Sequence, residues 1–150
     1  MKTKKETFIY EGLGFPIELV NAPFKFVLGS WVLDLNMKAL QEFVFKGLIH
    51  KPTFLAGKEL RFMRKFLDMS TTEFGRKIGV SHVTVVKWES EQTKTSPIQE
   101  SYLRLFFLEH FQNNELMNVY HEIRPEMLAQ TKEKTSSILI LDVNRLKEAS

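Results

Sequence analysis

Three features of this sequence predict an α+β fold, mainly α. Residues 7–33 hold short apolar runs separated by turn formers, helical periodicity runs almost unbroken from Lys58 to about Gln130, and "SSILILDV" at 136–143 is a strand candidate. They predict a small β-rich lobe with one helix over 1–55, a helical domain over 56–112, and a C-terminal helix and strand extension over 113–150 whose strand can return to the N-terminal sheet.

In the first region "TFIY", "PIELV", "FKFVL" and "WVLDL" are punctuated by Gly12, Gly14, Pro16, Pro23 and Gly29, which predicts an antiparallel sheet or meander. Asp34 or Asn36 can cap a helix running to about Ile49, with Leu40, Phe43, Val44 and Leu48 at three- and four-residue spacing, and Pro52 closes it. The helical region then breaks at 68–70, at 79–81, at the polar "ESEQTKTSP" and at "QNNE". Ser96 and Pro97 open a helix carrying "YLRLFFLEHF", apolar on more than half its circumference and so suited to a central core position or to a second copy of the chain.

Composition bounds the function. A chain of 150 residues with 43% hydrophobic content can bury a core, and the absence of cysteine excludes disulfides, a thiol nucleophile and any Cys-based zinc site. No apolar run follows the basic start, and none approaches the roughly 20 residues of a membrane span, so a cytoplasmic protein is expected. The net charge of +3 is unevenly spread: residues 51–95 carry nine Lys/Arg against five Asp/Glu, whereas residues 96–150 carry six against eight. The positive charge surrounds "SHVTVVKWESE", residues 81–91.

That stretch sets propensity against punctuation. Four β-branched residues, Val83 to Val86, favour a strand, while Ser81 stands where a helix takes its cap. Its surroundings decide for a helix. Leu60, Met63 and Leu67 form the inward face of a first helix, with Arg61, Arg64 and Lys65 off it. Ser70 and Glu73 form a capping box for a second helix, which carries Phe74 and Ile78 inward and offers Gly75 for close approach of another helix. Gly79 allows a sharp left-handed turn, Val80 plugs the corner, and a third helix follows with Thr84, Val85 and Trp88 toward the core. His82, Val83, Val86 and Lys87 are left facing outward. Two short helices joined by a Gly-containing turn, the second presenting one stripe of side chains, form a helix-turn-helix whose second helix fits the major groove.

Residues 58–89, "KELRFMRKFLDMSTTEFGRKIGVSHVTVVKWE", resemble the helix-turn-helix of the Xre/Cro/phage-repressor family. The order and spacing of that family's parts are kept over about a fifth of the chain. Gly75 stands where Ala is usual, Thr71 where Gln often touches a phosphate, and "ESE" where Gly commonly follows the recognition helix. The resemblance implies that His82, Val83, Val86 and Lys87 face bases, and that Arg61 or Arg64, Thr71, Ser81 and Lys94 touch the DNA backbone. Phe74, Gly79, Val80, Val85 and Trp88 form the motif core. Lys87 can donate to guanine, His82 can donate or accept, and the two outward valines can meet thymine methyls or pack against the protein. A wider likeness, carried by "YEGLGFPIELVNAP", "KP" and "SYLRLFFLEHF", links the chain to MqsA-type antitoxins, without their Cys-ligated zinc lobe.

Other chemistry is set aside. His50, His82, His110 and His121 lack metal-ligand spacing, even with Glu122 beside His121, and no metal or cofactor is expected. "GLGF" lacks the rest of a dinucleotide fingerprint, Ser101 sits in no nucleophile motif, and "KTKK" reads as a frayed terminus in preference to a contact with DNA phosphate. The expected function is therefore not enzymatic. It is sequence-specific binding of double-stranded DNA by a transcriptional regulator, a repressor acting as a homodimer on a palindromic operator; the alternative is an antitoxin that neutralises a protein toxin and autoregulates its operon.

Overall fold

A computed structural model describes residues 2–110 and 138–146, and these described residues form an α+β arrangement of five α-helices and one four-stranded sheet. Two compact units divide it: residues 1–47 with 138–150, and residues 48–137. The expected helical continuation past residue 110, the "QNNE" break, and His121 with Glu122 lie outside the described residues. Among the described residues, no helix is long and apolar enough to cross a membrane.

The first unit is built on the sheet. β1 (Thr3–Tyr10) runs antiparallel to β2 (Ile17–Val27), whose other side pairs antiparallel with β3 (Ser30–Leu33) and parallel with β4 (Leu139–Asp142). The strand candidate at 136–143 thus supplies β4. The two runs "PIELV" and "FKFVL" do not form separate strands as expected; they are one strand that continues through Pro23. The reason is local. The register shifts between Glu6 and Phe8, and Asn21 takes φ 59 with its amide donated to the Thr7 hydroxyl, so one extra residue is absorbed as a bulge. The bulge also switches which residues point inward, from Ile17 and Leu19 to Ala22, all fully buried. Pro23 accepts from the Asp34 amide and has no N–H to return, so the β3 ladder ends there.

Helix α1 (Met37–Ile49) is capped by Asn36, whose side chain accepts from the Ala39 amide. Leu40, Val44 and Phe45 are fully buried, and a Cβ at Gly47 would stand 3.0 Å from Leu141, so glycine lets β4 lie close to the helix.

The second unit carries α2 (Gly57–Phe66), α3 (Thr71–Ile78), α4 (His82–Glu89) and α5 (Pro97–Glu109). Its core is aromatic. Phe74 of α3 stacks on Phe107 of α5 with ring centroids 5.8 Å apart, and meets Phe106 edge-on at 5.6 Å. Leu60, Met63, Val85 and Leu103 fill the remainder.

Candidate nucleic-acid interface

The site is assembled from α3, the turn at 79–81, and α4. Ser70 caps α3 by accepting the Glu73 amide at 3.0 Å. The reciprocal half of the expected capping box is replaced: the Glu73 carboxylate lies 3.9 Å from Lys77 on the next turn. At the other end Gly79 takes φ 83, and the Val80 amide donates to the Gly75 carbonyl. Gly75 does sit at a close approach, but to the turn and not to another helix, since a Cβ there would come 2.6 Å from the Val80 oxygen. Val80 is half-buried and lines a shallow apolar cleft with Ile78, Trp88, Ile98, Tyr102 and Leu103.

Ser81 begins α4, its hydroxyl accepting the Thr84 amide at 3.2 Å. This cap and the packing of one helix face outweigh the weak helix propensity of the four β-branched residues, which costs about a few tenths of a kcal/mol each. Val85 is fully buried and Trp88 is 6% exposed. His82, Val83, Val86 and Lys87 are all exposed on the remaining surface. Val83 is 48% and Val86 45% exposed, so about half of each stays open to solvent. Thr84 departs from the expected core position: it is half-buried, and its hydroxyl meets that of Ser81 at 3.1 Å.

The residues expected at the DNA backbone divide. Arg61 and Lys94 are exposed, Ser81 is exposed at the helix start, and Thr71 is half-buried in the first turn of α3. Lys58, Lys65, Arg76 and Lys77 add exposed positive charge on α2 and α3, where anionic phosphates gain from cations and free helix amides. Arg64 is a correction. It is 7% exposed; its Nε donates to Glu89 at 2.6 Å, one terminal nitrogen to Glu89 at 3.0 Å, and the other to the Met69 carbonyl at 2.8 Å. With its fork spent inside the protein, Arg64 is a tether between α2 and the end of α4 and has no free nitrogen for a phosphate.

A second tether explains "ESE". Glu91 takes φ 61, the conformation in which Gly is commonest, and its carboxylate accepts the Gly57 amide at 3.0 Å. A carboxylate at the first amides of α2 offsets the backbone strain. Gly57 is required for the same contact, because a Cβ there would collide with the Glu89 carbonyl.

A buried polar network in the same unit, joining α5 to residues 49–59, is not apparent from the sequence. Arg104, fully buried, donates to the carbonyls of Ile49, Lys51 and Thr53 and to Glu100. Glu100 also accepts from the Leu55 amide and the Thr95 hydroxyl, and Lys51 pairs with Glu59 at 2.7 Å. Burial pushes the Glu100 carboxyl above its ordinary range, against the pull of Arg104, and burial lowers Lys51 despite Glu59. The four-residue spacing of Glu100 and Arg104 is the sequence signal for this pair, and the apolar residues around it mask that signal. Among the described residues no cluster of His, Asp and Glu could hold a metal ion.

What the arrangement offers is one short helix, capped by Ser81 at its start and tethered to α2 at its end, with a half-apolar, half-polar stripe and cations on neighbouring helices. Compared with protein-family models, with curated proteins and with solved structures, the chain gives no significant match.

Proposed function

We propose that the protein is a transcriptional regulator that binds double-stranded DNA sequence-specifically through a helix-turn-helix formed by α3, the 79–81 turn and α4. The observation that carries this reading is the division of α4: Val85 and Trp88 buried on one side, His82, Val83, Val86 and Lys87 exposed on the other. An eight-residue helix of this kind fits a major groove about 12 Å wide and reaches three or four base edges. Lys87 donates to a guanine, His82 to a base or phosphate, and the valines meet thymine methyls, while Arg61, Lys94, Thr71 and the amide end of α4 at Ser81 position the backbone.

One such helix reads only a few base pairs. Two copies on a palindromic operator, spaced about 34 Å apart along one face of the duplex, supply the missing specificity, and a bound dimer over a promoter acts as a repressor. The test is binding of the full chain to its own promoter and to a shuffled duplex at moderate salt. A preference for the promoter that Lys87→Ala abolishes supports the reading; equal affinity for both duplexes overturns it.

A further inference from the structure

The sheet of the first unit carries a face of partly exposed rings and lysines that the reading above does not use. On one face of β1, β2 and β3 the register sets Lys4 opposite Phe24 and Phe24 opposite Leu33, and in the next row Phe26 opposite Trp31, with the Phe26 amide donating to the Lys2 carbonyl. Each row therefore runs from a lysine on or just ahead of β1 to a ring on β2, so the two lysines stand side by side next to the rings of Phe24, Phe26 and Trp31. The Lys2 ammonium lies 5.6 Å from the Phe26 ring centre, and that of Lys4 lies 5.6 Å from Phe24 and 4.4 Å from Trp31. Phe26 and Trp31 meet edge to face at 5.2 Å and remain 37% and 39% exposed. Glu6 holds Lys4 at 2.8 Å, and Lys25 pairs with Asp34 from the opposite parity of β2.

Large rings left half-open on a sheet are costly unless something covers them. The lysines limit the occupants, because an ammonium on a flexible stem can leave a ring face for a phosphate when a base takes its place. A single strand of nucleic acid carries its bases to one side of its phosphates, and this face sets its rings to one side of a pair of ammoniums. We propose that this face binds single-stranded nucleic acid, with bases stacking on Trp31 and Phe26 and phosphates paired by Lys2 and Lys4. Glu6 then acts as the internal competitor that the phosphate displaces.

The experiment titrates the full chain into fluorescein-labelled oligothymidylate and oligouridylate of about 12 nucleotides, the two arms separating DNA from RNA. Binding to either supports the proposal if Trp31→Ala weakens it about tenfold and the pair Lys2→Gln, Lys4→Gln lowers the salt slope by about 1.4. Glu6→Gln is expected to tighten it. Because Trp31→Ala can loosen β3, Trp31→Phe serves beside it, retaining a ring and most of the affinity. Binding unchanged in Trp31→Ala overturns the proposal, as does no binding to either oligonucleotide while phosphatidylglycerol vesicles are bound. Lys87→Ala is expected to leave oligothymidylate binding unchanged, so failure here is distinguishable from failure at α4.

Discussion

Removing Arg64 is expected to destabilise the helical unit rather than act on a DNA phosphate. The guanidinium is nine-tenths buried and makes three hydrogen bonds, two to the equally buried Glu89 carboxylate and one to the Met69 carbonyl. Arg64→Met leaves that carboxylate charged and unpaired in a poorly solvated site, at a cost of about 3 to 5 kcal/mol. Glu89→Leu strands the arginine in the same way. The double variant Arg64→Met, Glu89→Leu removes both charges and leaves only the Met69 carbonyl short of a donor, which costs about 1 to 3 kcal/mol. The double variant is therefore expected to be more stable than either single one. Urea unfolding of the four proteins, followed by helical circular dichroism, gives the cycle directly. Single variants within about 0.5 kcal/mol of the parent, with the DNA salt slope reduced by about 1, would refute the tether and return Arg64 to the phosphate backbone.

Other perturbations separate reading from folding. Lys87→Ala is expected to cost about 1 to 3 kcal/mol at one base pair of the operator, whereas Arg61→Ala weakens all duplexes alike and lowers the salt slope by about 1, as measured by competition binding over a salt series. Trp88→Ala, emptying a site only 6% exposed, should lose about 3 to 5 kcal/mol of stability in denaturant unfolding. Leu28, fully exposed at φ 50 beside Gly29 at φ 83, occupies a hairpin turn position that favours Asn; Leu28→Asn should raise stability by about 1 kcal/mol, seen as a higher Tm.

Local punctuation was legible in the sequence because each signal acts within a turn of chain. Ser81, Gly79, Ser96 and Asn36 each cap or end a helix where their spacing places them. The outward stripe of α4 followed from helical period alone. What was not legible depends on distant partners. Arg64 sits off the apolar face of α2 by period, yet Glu89, 25 residues on, draws it inside. Pro23 suggested a break, and only the bulge at Asn21 together with the end of the β3 ladder shows how one strand carries it. Arg104 stands in a largely apolar helix run, and the three carbonyls that hold it lie more than fifty residues earlier in the chain. Charge at such positions is set by tertiary contact, which periodicity does not encode.

The central claim is that the exposed stripe of α4 reads base edges. Its most direct test is the ratio of affinities for the chain's own promoter and a shuffled duplex, measured at one moderate salt concentration for the parent and for Lys87→Ala. The account predicts a ratio of about 10³ or more for the parent, falling by about tenfold or more in the variant while affinity for the shuffled duplex changes little. A ratio near one for the parent, or a ratio untouched by Lys87→Ala, contradicts it.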